Sequence, residues 1–451
     1  MVNTVNTREL VLDILMAIEK GEGFSHKLLK DTLDKYDYLE RKDKAFIKRI
    51  VEGTLERQMY LDFIINAYSN TPVKKMKPLI RTLLRMSTYQ LIFMQVPDRA
   101  VCNEAVKLAA KRKFVNLKGF VNGVLRKIAA SKESLPEPSR EDLASYLSIT
   151  YSMPVWLVEK WLKELGEETT EGILKKFLEI SPVTIRMKES VSAEDRFALL
   201  EQMKEQGIEV EAHPYLSYAY TLSHLEGMHQ VPGFSTGLIS VQDVSSMLAV
   251  ESAGIGAGDM VLDVCAAPGG KTMLAAEKTG PTGLVIARDL SDMKVSFIEE
   301  NAGRMRLDQV RVQVHDATVL DESMIGKADV VLADLPCSGL GIIAKKRDIK
   351  YNVTQDSLVE LQALQRHILD VVSRYVKPGG VLLYSTCTIN PMENEDNRQY
   401  IIKELGFEAE SLDAYLPEAL RSEDTKEGFL QLIPSVHQTD GFFISRFRKM
   451  V

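Results

Sequence analysis

The chain has 451 residues, 45% hydrophobic and 26% charged, with 56 Lys+Arg against 63 Asp+Glu for a net charge of −7. That length favours two or three domains, the composition is that of a folded chain with ample core, and no run of about 18 apolar residues suggests a membrane span. Four cysteines without a CxxC pair rule out a disulfide framework and leave no expected metal site, and the first nine residues lack a signal-peptide apolar core, so a cytoplasmic setting is expected.

The negative total argues against a nucleic-acid partner, but its distribution reverses that inference. Residues 1–132 hold 25 Lys+Arg and 14 Asp+Glu, a net of +11; residues 133–451 hold 31 and 49, a net of −18. The basic part reads as all helix. Asn6 with Glu9 forms an N-cap signal, Leu10, Val11, Ile14, Leu15 and Ile18 share one face, and Gly21 and Gly23 end the run. Later apolar-periodic runs at Phe46–Val51, Leu79–Phe93, Ala105–Ala109 and Phe120–Ile128 complete a bundle. Lys107, Lys111, Arg112, Lys113, Lys118, Arg126 and Lys127 cluster late in it as a positive face suited to phosphates. Cys102 reads as a small core residue.

Residues 133–140, with Pro136 and Pro138, read as a linker. A middle α+β region is expected over 141–235, with Trp156 and Trp161 in a packing role, a strand at Val183–Met187 and another near Ile208–Val210. From 236 to 451 short β-branched runs alternate with helical ones: Met260–Val264, Gly283–Ala287, Val310–Val314, Ala328–Leu332 and Val381–Tyr384. Their spacing means crossover βα units, hence a Rossmann-like α/β domain with a mostly parallel sheet whose ligands lie at the strand C-termini.

Each run ends in chemistry. The first leads into Cys265-Ala266-Ala267-Pro268-Gly269-Gly270-Lys271-Thr272. A P-loop needs glycine where Cys265 stands, and GxGxxG fails at Ala267-Pro268, which leaves a glycine turn opening a helix. Asp289 follows Gly269 by 20 residues, the distance at which a strand-tip acid accepts ribose hydroxyls, and Asp316 ends the third run where an adenine amino group would lie. A glycine turn and two strand-tip acids, without a phosphate motif, suit S-adenosyl-L-methionine better than NAD.

The fourth run ends Asp334-Leu335-Pro336-Cys337-Ser338-Gly339 and the fifth Ser385-Thr386-Cys387-Thr388. Two thiols at the ligand edge suit pyrimidine C5 methylation. Cytosine C5 is a poor nucleophile until a thiolate adds at C6. Asp334 is placed to steady the adduct or to contact the cofactor, and Lys271 or a helix N-terminus to favour a thiolate. Spacing does not say which cysteine attacks.

Cys-Ala-Ala-Pro-Gly-Gly-Lys, Asp-x-Pro-Cys-Ser-Gly and Ser-Thr-Cys-Thr together resemble three motifs of the RNA (cytosine-5) methyltransferases of the NOL1/NOP2/Sun group. Asp440-Gly441-Phe442-Phe443-Ile444-Ser445-Arg446 is similar to that family's last strand, and Val121-Asn122-Gly123-Val124-Leu125-Arg126 resembles the NusB fold. The combination resembles the bacterial RsmB/Sun family, in which the substrate is cytosine 967 of 16S ribosomal RNA. The resemblance implies Cys387 as nucleophile and Cys337 as the residue that assists adduct breakdown. It also implies cofactor contacts from Cys265, Ala266, Ala267, Pro268, Gly269, Gly270 and Lys271, and from Asp289, Asp316 and Asp334. A monomer is expected. Leu335 stands where the family has Ala, and Ala344-Lys345-Lys346-Arg347 replaces a more usual Arg-Arg-His-Pro; with Lys350 these residues make a basic loop expected to face RNA.

Overall fold

The computed structural model describes residues 5–450. Two compact units emerge, the first running to Glu179 and also containing Ile343–Asn352, the second comprising Ile180–Ile342 and Val353–Val451.

The first unit is helical: α1 (Thr7–Glu19), α2 (Ser25–Lys35), α3 (Arg41–Glu56), α4 (Gln58–Tyr68), α5 (Pro78–Phe93), α6 (Asp98–Lys111), α7 (Lys118–Ala130), α8 (Leu143–Tyr151), α9 (Val155–Leu165) and α10 (Glu167–Lys176). Asn6 caps α1 as the sequence suggests, its side chain accepting from the Arg8 and Glu9 N–H groups. The Glu9 carboxylate turns away to Lys111 at 2.6 Å. The apolar faces of α1 and α3 to α7 meet in one core that includes Cys102.

The expected linker does not divide the domains. Leu135 packs on the helical core, the Lys132 ammonium pairs with Asp98, and the Tyr60 N–H donates to Ser152 Oγ at 3.0 Å. Residues 141–179 therefore extend the bundle instead of opening a separate middle region. Charge changes sign near 133, but the density of packing contacts drops only after Glu179. Trp161 is fully buried against Phe177, as its packing role requires.

The basic loop is also corrected. Arg347 pairs with Glu56 at 3.1 Å and Glu52 at 3.5 Å, Lys350 is buried with Nζ donating to the Glu56 carbonyl, and the Tyr351 hydroxyl donates to the Leu55 carbonyl. Lys350 and Tyr351 thus satisfy two of the last carbonyls of α3, which lack intrahelical partners, while Arg347 binds carboxylates of the same helix. Asp348 accepts from the Ser25 N–H at 2.8 Å and its hydroxyl at 2.7 Å, capping α2 from 323 residues away in sequence. Lys345 and Lys346 stay exposed.

The second unit begins with an antiparallel sheet in the order β2-β3-β1-β4: β1 (Val183–Met187), β2 (Glu209–Ala212), β3 (Ala219–Ser223) and β4 (Ile239–Val241), covered by α11 (Ala193–Glu205). Then come α12 (Val244–Ala253), β5 (Met260–Asp263), α13 (Gly270–Thr279), β6 (Leu284–Asp289), α14 (Asp292–Met305), β7 (Val310–Val314) and β8 (Ala328–Asp334). After α15 (Ile349–Asn352), which lies in the first unit, the chain returns through α16 (Gln355–Val372), β9 (Val376–Thr386), α17 (Glu395–Glu404), β10 (Phe407–Ala409), β11 (Phe429–Leu432) and β12 (Phe442–Lys449).

These strands form one sheet, β10-β12-β9-β8-β5-β6-β7, with β11 beside β12. Strands β5 to β9 are parallel, and β12 adds antiparallel to β9. Consecutive strand residues face opposite layers: Val261, Val285, Val330 and Leu383 meet α12 to α14, while Leu262, Ile286, Val331 and Leu382 meet α16 and α17. Both faces are covered, which explains the near-continuous apolar runs. The chain winds from β5 toward β7, then restarts at β8 on the other side, so a topological switch point opens between the C-terminal ends of β5 and β8.

Candidate active site

At that switch point lies a cavity of about 170 Å³, lined among others by Gln242, Asp263, Cys265 to Pro268, Gly270, Lys271 and Asp334. Gly269 opens α13 at φ +104°, a conformation L side chains avoid, and no side chain caps the helix there. The first N–H groups of α13 are thus left to a ligand.

Asp289 is buried at the tip of β6 and anchors this turn. It accepts from the Ala267 N–H at 2.9 Å, the Leu290 N–H at 2.7 Å and Lys294 Nζ at 2.9 Å. A carboxylate has about four acceptor positions, so capacity remains for a ribose hydroxyl. Asp316 is exposed just past β7, and the Thr318 N–H and hydroxyl donating to one oxygen lower its pKa.

Lys271 and Asp334 form the polar floor. Lys271 Nζ lies 2.6 Å from Asp334 Oδ2 and 3.2 Å from Ser246 Oγ, and Ser385 donates to Asp334 Oδ1 at 2.9 Å. Burial opposes the Lys271 charge, but Asp334 more than compensates, so the pKa is raised. Asp263, fully buried, receives Thr272 Oγ1 at 2.7 Å, and burial raises its carboxyl to about 7. Among the described residues its Oδ1 has no hydrogen-bond partner, nor has Gln242 Nε2, whose amide oxygen accepts from Arg186 at 2.9 Å. One spare acceptor and one spare donor among the cavity-lining residues, beside an uncapped helix N-terminus, suit the ammonium and carboxylate of an amino-acid moiety. The residues present therefore fit the cofactor expected from sequence.

The two strand-tip cysteines meet: Cys337 Sγ and Cys387 Sγ are 3.3 Å apart. Both are partly accessible, and Cys387 is close enough to Lys271 for the two to interact electrostatically. The hydrogen bond to Cys387, together with burial, pushes the Cys337 thiol well above its ordinary value. Burial likewise pushes the Cys265 thiol up, which marks that cysteine as an inert wall of the cavity. The backbones around the thiols touch at Gly341, whose N–H donates to the Cys387 carbonyl at 3.1 Å and whose carbonyl accepts from the Gly441 N–H at 2.9 Å. A Cβ at Gly341 would fall 1.9 Å from the Gly441 oxygen, so only glycine allows this approach.

The eleven sequence-selected positions Cys265 to Lys271, Asp289, Asp334, Cys337 and Cys387 lie at the C-terminal edge of the parallel strands, with Asp316 at its outer end. Gln242, Asp263 and Glu393 were not among them. Asp263 was visible as the one charge inside an apolar run; Gln242 and Glu393 sit in segments whose approach to the site depends on tertiary folding.

Three family profiles match the chain: the NusB family over residues 5–130, a ferredoxin-like domain of RsmF/B-like methyltransferases over 153–226, and 16S rRNA methyltransferase RsmB/F over 255–448. The probable ribosomal RNA small subunit methyltransferase B of Bacillus subtilis is 36% identical, covering 98% of this chain and 99% of its own length. Ribosomal RNA small subunit methyltransferase B of Vibrio cholerae is 33% identical over 90% of each chain. The crystal structure of PH0851 superposes with a TM-score of 0.80 at 25% identity, covering 99% of both chains. With its motifs clustered at one strand edge and its full length matched by such relatives, the chain belongs to the RsmB/F family of 16S rRNA methyltransferases, with a NusB-family domain at its N-terminus.

Proposed function

We propose that this protein methylates C5 of a cytosine in 16S ribosomal RNA, cytosine 967 by its family relationship, with S-adenosyl-L-methionine as donor. The observation that carries the reading is the 3.3 Å approach of Cys337 and Cys387 beside the cavity floored by Lys271 and Asp334. When bound, the cofactor supplies an electrophilic methyl group on its sulfonium. Gly269, Gly270 and the start of α13 would hold it with Lys271, Asp289, Asp316 and Asp334, and Gln242 and Asp263 would add the amino-acid contacts.

Cys387 adds as thiolate to C6 of the cytosine, which raises electron density at C5. Lys271 favours that thiolate electrostatically, and Asp334, fixed by Lys271 and Ser385, presents a carboxylate edge to the ring amino group or the cofactor. Once C5 carries the methyl group, a base takes the C5 proton, the electron pair of that C–H bond forms the C5–C6 double bond, and Cys387 leaves C6 as thiolate, which restores the aromatic ring. Cys337 assists that elimination from its position against the same sulfur. The substrate RNA is engaged by the basic helical unit, and the protein acts as a cytoplasmic monomer.

Methyl transfer from radiolabelled cofactor to 16S rRNA is expected to disappear in Cys387→Ala. Cys337→Ala should instead trap a protein–RNA adduct that survives denaturing electrophoresis. An adduct in Cys387→Ala and none in Cys337→Ala would reverse the two roles. Bisulfite mapping of small-subunit rRNA from cells lacking the protein tests the target position; an unchanged cytosine 967 removes that assignment while leaving the chemistry to the thiol variants.

A further inference from the structure

Glu393 is fully buried six residues beyond Cys387, just before α17. Its carboxylate accepts four hydrogen bonds: the Ser338 N–H at 2.7 Å and Gln365 Nε2 at 3.1 Å on Oε1, the Ser338 hydroxyl at 2.5 Å and Asn390 Nδ2 at 3.0 Å on Oε2. No Lys, Arg or His among the described residues lies within ion-pair distance. Burying a carboxylate without a cation is costly unless donors saturate it, as these four do, so a charge here, where a neutral amide would fill the same space, calls for an explanation beyond packing.

The partners supply one. Ser338 directly follows Cys337, and Gln365 also donates to the carbonyl of Pro336, directly before it, at 2.8 Å. The Ser338 proton goes to Glu393, so Thr388, the residue after Cys387, must donate its own hydroxyl proton to Ser338 Oγ across 2.8 Å. One carboxylate thus ties both cysteine loops, and its charge acts on Cys337.

We propose that Glu393 is a positioning residue that sets the division of labour between the two thiols: it locks the loops in register, and its charge opposes a thiolate at Cys337, reserving Cys387 for attack. The inference rests on the methyltransferase reading above, yet its first consequence concerns the resting protein alone. Alkylation by iodoacetamide reports thiolate, since thiolate sulfur displaces iodide, and peptide mass spectrometry separates Cys337 from Cys387.

In the full-length Glu393→Gln protein, Cys337 alkylation at pH 8 should rise about tenfold, the change expected for one unit of thiol pKa, with Cys387 changing less than about twofold. Glu393→Asp, which keeps the charge, should stay near wild type. A Cys337 rate in folded Glu393→Gln within about twofold of wild type overturns the electrostatic role. In methyl-transfer assays Ser338→Ala, which removes the hydroxyl relay between Glu393 and Thr388 but keeps the backbone N–H bond and the charge, should lower kcat at least about fivefold with both KM values within about twofold, and leave Cys337 alkylation unmoved. An unchanged kcat there overturns the positioning role. Should Glu393→Gln fail to fold, Ser338→Ala and Thr388→Val decide the question by the same kcat criterion. A tenfold rise in Cys337 alkylation in Glu393→Gln, with the wild-type protein methylating no cytosine, would sustain the ordering of the thiols and refute the cytosine-C5 reading instead.

Discussion

Asp263 is buried at the floor of the cavity, and this makes stability depend on pH. Its carboxyl titrates near 7 in the folded protein and near 3.8 when unfolded. Between those values the folded state holds the extra proton, so the stabilisation is complete below about pH 4 and is lost as pH rises through about 7. Asp263→Asn should therefore flatten the fall in Tm between pH 5 and 8 and raise Tm at pH 8, measured by thermal denaturation in matched buffers. The same substitution removes the negative charge and leaves at most a neutral amide oxygen for the ligand's ammonium, so calorimetric affinity for S-adenosyl-L-methionine should drop about tenfold or more, the cost of losing a charge-assisted hydrogen bond. An unaltered pH slope would mean that water reaches the carboxyl. At this scale much of the site was legible: Lys271, Asp334, Cys337 and Cys387 announced themselves because each ends a strand or opens a helix. Glu393 did not, since a glutamate before a helix looks like an ordinary surface acid until tertiary folding buries it.

Among elements, the parallel strands were readable from their β-branched runs, and β5 to β9 fall where those runs stand. The antiparallel β3, β4, β10 and β11 were not marked out, because short strands of three to five residues carry too little periodicity to separate from loop. Contacts between elements explain two sensitive positions. Gly341→Ala would drive a methyl group into the Gly441 carbonyl and part the two cysteine loops; a loss of about 2 kcal/mol or more is expected in urea unfolding, with methyl transfer falling in step. Asp348→Ala removes the acceptor for the α2 N-terminus and should cost about 1–2 kcal/mol. A negligible change in unfolding midpoint for Asp348→Ala would show that water replaces the cap at little cost.

For the whole molecule, charge and architecture follow different boundaries. Several of the basic residues that suggested an RNA-binding face are spoken for: Lys107 pairs with Glu104, Lys111 with Glu9 and Arg112 with Asp13. Lys113, Arg126 and Lys127 are exposed and have no carboxylate partner among the described residues. Replacing these three with alanine should weaken 16S rRNA binding and reduce the slope of log K against log salt by about two, at about 0.7–0.9 per lost phosphate contact. A slope unchanged within error would place the electrostatic contact elsewhere. Deleting residues 1–132 is a poorer test, since it would strip α8 to α10 of the bundle they complete.

The ten residues Ile343–Asn352 are encoded within the methyltransferase sequence yet finish the helical unit. Cutting the gene after Glu179 would therefore orphan two helix ends, the start of α2 and the end of α3. A fragment ending at Glu179 should melt below the helical unit of the intact chain, and a synthetic peptide of residues 343–352 should bind it and raise its melting temperature. Shuffling of the two modules between proteins is correspondingly restricted: a recombinant that imports a foreign catalytic half also imports a foreign plug.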